Sequence, residues 1–262
     1  MTIFAEIQEL EVQGNEAVLC TVVRTQGSTP RGAGTKMLVY PDGRISGTVG
    51  GGEMESRVVQ AALEALAEGQ PRLLEYSLSD PKNGDPGVCG GQMEVFVEPI
   101  KPQSTVVVVG MGHVGLAVAD LAHWLGFRVV VSDDRAELCS PEMVPNADVF
   151  HPAALAELPE QVKVNAQTYV ILTTRNVKVD VEGLPAILAT PASYIGVIGS
   201  RRRWETTRKK LLKAGVPEAQ IERVVSPIGL ELNAETPEEI ALSILAEIIM
   251  LRRGGDGARM GI

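Results

Sequence analysis

The stretch from Thr105 to Asp134 restricts the fold of this chain more than any other part of its sequence. It opens with an apolar, β-branched run that ends at Val109, and three glycines then follow at G-x-G-x-x-G spacing, namely Gly110, Gly112 and Gly115. An Ala/Leu-rich helical pattern comes next, and a second β-branched run stops at Asp133. This order of strand, glycine turn, helix, strand and acid predicts a dinucleotide-binding βαβ unit.

Each glycine has a separate role in such a unit. Gly110 permits the tight turn, Gly112 lets the backbone approach a pyrophosphate, and Gly115 lets the helix pack close to the strand. Backbone N–H groups and the helix dipole attract the phosphates. Asp133 would accept from a ribose hydroxyl, which favours NAD over NADP, whereas Arg135 beside it would admit a 2′-phosphate. The alternative is a Rossmann unit that binds no nucleotide.

Two helix starts in this half carry further candidate groups. His113 lies within the glycine turn, near any bound cofactor, but has no identifiable partner for catalysis. The run Gly199-Ser200-Arg201-Arg202-Arg203 begins another helix, where positive charge opposes the helix dipole. An anion held there by Ser200 and Arg201 would account for this charge. A solvated or acid-paired helix face is the competing interpretation.

Composition limits the class of protein. A length of 262 residues suits one large or two ordinary domains. A net charge of −9 and few aromatic residues argue against nucleic acid as the partner. No apolar run is long enough to cross a membrane, and the first residues lack the pattern of a signal peptide. Three cysteines, at 20, 89 and 139, form no disulfide or zinc pattern, so we expect no metal site and a cytoplasmic location.

A polar, proline-containing segment, Glu98 to Ser104, precedes the first Rossmann strand. We therefore place a domain boundary there, with an α+β domain over 1–100 and a Rossmann-like domain with a mostly parallel sheet over 101–262. In the first domain the patterns predict an initial helix with Ile3, Phe4, Ile7 and Leu10 on one face, a strand over 17–23, a hairpin over 36–40 and 44–49, a helix over 53–68 and a strand over 92–97, with long loops over 25–35 and 78–91.

The second domain is predicted to alternate strands and helices, with strands over 105–109, 127–132, 168–173, 193–198 and 223–226. Its last helix starts at an N-cap threonine, Thr236, followed by Pro237 and by Glu239 of a capping box. The helix carries an apolar stripe, Ile240, Ile244, Ile248 and Leu251, fit for a core or for a partner. On the second interpretation we expect a homodimer.

Three motifs of the first domain are candidates for ligand binding. Gly50-Gly51-Gly52 opens a helix and exposes N–H groups that suit a phosphate, or else forms a tight structural turn. The loop over 25–34 is rich in glycine and hydroxyl groups, and Arg24 and Arg31 would be its charge partners, unless it is only a solvated loop. Cys89, followed by two glycines, offers an accessible thiol for a soft metal centre or for sulfur chemistry, or else is an incidental loop cysteine.

Taken together, these motifs resemble the XdhC/CoxI family of accessory proteins for molybdenum hydroxylases. The resemblance covers nearly the whole chain. It is carried by GSTPRGAGTKMLV, GRISGTVGGGEMESRVV and CGG in the first domain, and by VVGMGHVGLAVA, VVVSDDR, YIGVIGSRRR and PIGLELNAETPEEIALSILAEI in the second. Many family members have cysteine at the position of Glu53, so a mechanism with two cysteines is in doubt here.

The resemblance implies a maturation factor that binds the molybdenum cofactor, protects it, presents it to a cysteine desulfurase and delivers it to a molybdenum hydroxylase apoenzyme. Gly50 to Gly52 and Arg31 would then meet the terminal phosphate of molybdopterin, and Cys89 would approach the molybdenum. Two other functions remain open. One is an NAD(P)-dependent oxidoreductase acting on a small substrate. The other is a regulatory module that senses nicotinamide nucleotides.

Overall fold

The computed structural model describes residues 2–79 and 89–261. The chain divides into two compact units, Met1–Pro102 and Gln103–Ile262. Each unit has its own sheet and its own hydrophobic core. No helix within the described ranges is both long and apolar enough to cross a membrane.

The first unit is built on a five-stranded antiparallel sheet with strand order β3-β2-β1-β5-β4. The strands are β1 Ala17–Gln26, β2 Lys36–Val39, β3 Ile45–Gly47, β4 Arg72–Ser77 and β5 Gln92–Ile100. Two helices complete the unit, α1 Ile3–Gln13 and α2 Gly52–Glu68. The predicted α+β class and the β2–β3 hairpin are confirmed.

Helix α2 covers one face of this sheet, because its buried residues recur at helical spacing and meet the alternating buried residues of the strands. Helix α1 packs mainly on β2 through Leu10, which clusters with Leu38. Phe4 was predicted to share the buried face of α1, and this was wrong, because its side chain is 66% exposed.

Several strands of this unit differ from the predictions. Strand β4 was not predicted, because Arg72–Ser77 is poor in β-branched residues and only half-buried. Strand β1 continues to Gln26, since it pairs with β5 along its whole length, so the loop expected over 25–35 begins at Gly27. Of the loop expected over 78–91, residues 80–88 lie outside the described residues. At its base, Leu78 exchanges backbone hydrogen bonds with Gly90 and Gly91.

The second unit is a six-stranded parallel sheet with strand order β11-β10-β9-β6-β7-β8. The strands are β6 Thr105–Val109, β7 Arg128–Ser132, β8 Val149–His151, β9 Thr168–Leu172, β10 Tyr194–Val197 and β11 Val224–Val225. The helices are α3 His113–Trp124, α4 Leu158–Gln161, α5 Val177–Leu188, α6 Arg201–Lys213, α7 Glu218–Ile221 and α8 Pro237–Arg253. Strand β6, the first of this unit, lies between β7, the second, and β9, the fourth. This is the strand order of the Rossmann fold. The predicted parallel sheet is confirmed.

Both faces of this sheet are covered, as expected for strands that are apolar throughout. Helices α3 and α8 cover one face, and α4 to α7 supply the buried residues on the other. The capping box of α8 forms as predicted, with Thr236 accepting from the Glu239 amide. Ile244 and Ile248 of the predicted stripe are fully buried against α3 and the sheet. The stripe therefore belongs mostly to the core of this unit. Only its last residue, Leu251, is exposed.

Candidate functional site

The glycine turn between β6 and α3 has the division of roles expected of a nucleotide-binding turn. Gly110 has φ of +98°, and a Cβ there would lie 2.9 Å from the carbonyl oxygen of Thr173. A Cβ on Gly115 would overlap the carbonyl oxygen of Gly110. Glycine is therefore required at these two positions because a side chain would collide with backbone atoms of the protein itself. A Cβ on Gly112 would meet no atom within 4 Å, so the space beside this residue is free for a ligand.

A pocket lies at the carboxyl ends of β6, β7 and β9, beside the point where the strand order reverses. It holds about 520 Å³ of empty space, part of it open to solvent. In open parallel sheets this crevice is where ligands bind. The Oγ of Ser132, at the end of β7, is buried and has no hydrogen-bond partner within the described part of the chain. The charged residues that line the pocket are Asp133, Asp134, Arg135, Arg175 and Glu182.

Asp133 was predicted to accept from a ribose hydroxyl, and in this structure its carboxylate accepts four hydrogen bonds from the protein itself. Oδ2 accepts from the Met111 amide and from Nη2 of Arg135, both at 2.8 Å. Oδ1 accepts from the Arg135 amide and from Nε, both at 2.9 Å. Burial raises the pKa of Asp133, but these hydrogen bonds outweigh burial and hold the pKa below its usual value. Asp133 thus ties the glycine turn to the end of β7.

The next residue, Asp134, is more accessible and pairs with a different arginine. Its two oxygens accept from Nη1 and Nη2 of Arg175 at 2.6 and 2.7 Å, which is the bidentate geometry. The hydrogen bonds and charge of Arg175 lower the pKa of Asp134 to about 2. This pair was not predicted, because Arg175 follows β9 and lies far from Asp134 in sequence.

The remaining candidates of the second unit lie at helix starts. His113 is the first residue of α3 and is exposed. Ser200 is the N-cap of α6, where its side chain accepts from the Arg203 amide. Arg201 is exposed and forms no ion pair with any residue that the structure describes. It therefore remains free to meet an anion. Arg203 instead points inward and bonds to Asp180 of α5.

The three motifs of the first unit converge at one end of its sheet. A Cβ on Gly50 would lie 2.6 Å from Cγ of Pro30, so the loop after β1 packs on the glycine turn before α2. The same loop contacts the residue before β5, because a Cβ on Gly91 would overlap the carbonyl oxygen of Ser28. Gly27 in turn lies against Gly90 and Gly91. Close backbone approach thus explains these glycines and brings the separate motifs together.

The amides of the Gly50–Gly52 turn are largely occupied by the chain itself, which changes the predicted phosphate site. The Glu55 carboxylate turns back and accepts from the amides of Val49 and Gly51 at 3.1 and 3.2 Å and from the Thr48 hydroxyl. Burial raises the pKa of Glu55, but these hydrogen bonds outweigh burial and the pKa lies below its usual value. Glu55 therefore occupies part of the turn at which a phosphate was predicted.

Two candidates near this turn remain available to a ligand. Arg31 and Cys89 are exposed. The other two cysteines are buried, and burial raises the pKa of the Cys20 thiol to about 12 and that of Cys139 above its usual value. Over the described residues, no group of three or more His, Cys, Asp or Glu side chains is placed to hold a metal ion.

The fold and these sites define a two-unit protein that joins a glycine-rich α+β unit to a Rossmann unit. Residues 106–248 match the XdhC Rossmann domain, and residues 10–77 match the XdhC and CoxI family. The chain belongs to the XdhC/CoxI family, as its motifs predicted.

Curated relatives support this assignment. The chain is 36% identical over 264 residues to the uncharacterized protein YqeB of Escherichia coli K12, covering 99% of this chain and 48% of YqeB. It is 31% identical over 163 residues to a probable xanthine dehydrogenase subunit of Bacillus subtilis 168, covering 61% of this chain and 46% of that protein. The chain thus spans about half the length of these two relatives.

Two further proteins match over nearly the whole chain. The molybdenum cofactor insertion chaperone PaoD of Escherichia coli K12 is 25% identical, over 96% of this chain and 88% of PaoD. A solved structure described as a xanthine dehydrogenase from Bacillus halodurans is 23% identical and has a TM-score of 0.52, covering 99% of this chain and 98% of that chain. At this identity the structural match bears on the fold alone.

Proposed function

We propose that this protein is an accessory factor for the maturation of a xanthine dehydrogenase-type molybdenum hydroxylase. It binds the molybdenum cofactor through its first unit and a nicotinamide dinucleotide through its second. The observation that carries the proposal is the convergence of the glycine loop, the glycine turn and the Cys89 motif in the first unit, in a chain of this family. The similarity to PaoD, a cofactor insertion chaperone by name, supports it.

The first unit offers two groups with the chemistry that molybdopterin requires. The Cys89 thiol is a soft, exposed ligand, which suits a molybdenum centre with sulfur ligands. The Arg31 guanidinium is exposed in the neighbouring loop and suits a terminal phosphate. Gly50 of the glycine turn packs against Pro30 of the loop, while the Gly50 amide donates to Thr48 and the Gly51 amide donates to Glu55. We therefore assign the phosphate to Arg31 rather than to the amides of this turn.

The second unit fits a dinucleotide on geometric grounds. The open space beside Gly112 leaves room for a pyrophosphate at the start of α3, and the solvent-open pocket at the carboxyl ends of the strands lies beside the same turn. The unpartnered hydroxyl of Ser132 would gain a partner from a bound ligand. Ser200 and Arg201 stand at the start of α6, where a second phosphate or other anion would be attracted.

The alternative of an oxidoreductase finds less support in the pocket. The described residues that line it include aspartate, glutamate and arginine, but no histidine, lysine or tyrosine. Its exposed Asp134 is held in an ion pair, so it is poorly suited to exchange a proton with a substrate. The nucleotide would then serve to regulate cofactor delivery rather than to transfer hydride.

The proposal is tested by purifying the full chain from cells that make the cofactor. Pterin fluorescence and molybdenum analysis should show bound cofactor, and mixing with apo-hydroxylase and a cysteine desulfurase should restore hydroxylase activity. A preparation without pterin or molybdenum that turns over NADH with a small carbonyl compound would instead establish the oxidoreductase. A homodimer remains a prediction, to be checked by light scattering, and the buried stripe of α8 no longer argues for it.

A further inference from the structure

Asp133 and Asp134, at the end of β7, differ in how many further hydrogen bonds their carboxylates can accept. Asp133 accepts four hydrogen bonds from the chain, two on each oxygen, and its side chain is 1% exposed. Within the described residues, the close side-chain hydrogen bonds that Asp134 accepts are the two from Arg175, one on each oxygen, and its side chain is 40% exposed. Asp134 thus keeps more capacity to accept a hydrogen bond from a ligand than Asp133 does.

Both arginines beside these carboxylates are already neutralised. Arg135 is bound to Asp133 through Nε and Nη2, and Arg175 is bound to Asp134 through both terminal nitrogens. Nη1 of Arg175 also lies 4.0 Å from Oδ1 of Asp133. The charges of these two aspartates and two arginines cancel, and Glu182, which also lines the pocket, adds a further negative charge. Arg175 is the more accessible guanidinium, with 43% of its side chain exposed.

We propose that the Asp134–Arg175 pair makes the pocket select a dinucleotide whose adenosine ribose carries a free 2′-hydroxyl over one that carries a 2′-phosphate. The inference rests on the proposed dinucleotide binding and names the ligand of that site. The end of the second Rossmann strand is where the adenosine ribose is recognised. A ribose hydroxyl donates to the Asp134 carboxylate and leaves the ion pair intact.

A 2′-phosphate faces two costs at the same place. It has only acceptor oxygens for this contact when fully ionised, so it needs a guanidinium, and it must displace Asp134 from Arg175 to reach one. It then stands beside two carboxylates, which repel it. Because Arg175 keeps the pKa of Asp134 at about 2, that carboxylate is charged throughout the physiological pH range. Ser132 supports the assignment, since its buried, unpartnered Oγ lines the same pocket.

Calorimetric titration of the full chain with NADH and with NADPH tests this. We expect the wild-type chain to bind NADH at least about tenfold more tightly than NADPH, and Asp134→Ala to narrow that ratio by about tenfold. Removing Asp134 takes away the ribose acceptor and frees Arg175 for the phosphate. Glu160→Ala is the control, because it removes one negative charge from an exposed position of α4 outside the pocket, and it should leave the ratio unchanged.

The double variant Asp134→Ala/Arg175→Met decides whether Arg175 is the group that is freed. The gain in NADPH binding should disappear in it. Equal binding of both dinucleotides by the wild-type chain overturns the inference, as does an Asp134→Ala chain, folded by its thermal melt, with an unchanged ratio. A gain in NADPH binding that survives in the double variant also overturns it. If no variant binds either dinucleotide, the dinucleotide part of the proposed function fails as well.

Discussion

Arg203 reaches from the first turn of α6 to Asp180 on α5, and its Nη2 lies 2.7 Å from Oδ2 of that aspartate. The Asp180 carboxylate is fully buried, and its other oxygen accepts from the Thr174 hydroxyl. Nη1 of Arg203 donates to the carbonyl oxygen of Thr174 at 3.0 Å. Arg203 therefore links α5 and α6 to the residues that follow β9, and its charge stabilises the fold.

Replacing this arginine should destabilise the second unit, whereas replacing its neighbour should not. Arg203→Met leaves a buried carboxylate without its partner, which costs about 3–5 kcal/mol of unfolding free energy. Arg201→Met changes an exposed side chain and should cost less than about 0.5 kcal/mol. Urea unfolding of both variants measures the difference. Equal stability of the two would show that the Asp180 pair contributes nothing to the fold.

The Glu55 carboxylate should make the first unit sensitive to acid. Its pKa in the folded chain lies below its ordinary value, so its contribution to stability is present at neutral pH and is lost as the pH falls through about 4.5 and below. We expect Glu55→Gln to lower the unfolding free energy by about 1–3 kcal/mol at pH 7 and by much less at pH 3. Glu53→Gln is the matched control from the same turn, because Glu53 is exposed and pairs only with Arg57. A loss for Glu55→Gln that does not change with pH would contradict the assignment.

Substitutions in the glycine turn should separate ligand binding from folding. Gly112→Val adds a side chain into space that holds no protein atom, so the chain should fold normally but bind dinucleotide at least about tenfold more weakly. Gly115→Ala should instead lower stability by about 1–3 kcal/mol, because its Cβ overlaps the carbonyl oxygen of Gly110. Calorimetric titration with NADH and thermal unfolding measure the two effects. Unchanged affinity in a folded Gly112→Val chain would remove the turn from the binding site.

The three cysteines should differ in reactivity. A thiol reagent should label Cys89 rapidly in the folded chain, and Cys20 and Cys139 only on unfolding, because both are buried and have raised pKa values. Cys89→Ala should keep NADH binding, which belongs to the other unit, but should lose molybdenum cofactor or fail to activate the hydroxylase. Cys20→Ala and Cys139→Ala are the controls. Wild-type cofactor occupancy and client activation in all three variants would exclude thiol chemistry.

The sequence predicted the Rossmann unit well because its signals are local. The strand, the glycine turn and the capping box of α8 each involve only a few consecutive residues, so each can be recognised from one short segment of sequence. Strand β8 was missed because Val149–His151 is too short to show a period. The geometry of the candidate sites could not be predicted in the same way. It depends on pairs of residues that are distant in sequence, or on a side chain, that of Glu55, that turns back to the residues before its own helix. Neither the Asp134–Arg175 pair nor the capture of the Val49 amide by Glu55 has a sequence signature of its own.

The hydrogen bonds of Asp133 have a consequence for how a ligand is received. All four donors come from the chain itself, so the position of the Met111 amide next to the glycines is set by the protein. A dinucleotide that docks there does not have to order the loop first, and the entropy that such ordering would cost is not subtracted from its affinity. The site should therefore be preorganised, with a backbone that shifts little between the free and the dinucleotide-bound protein.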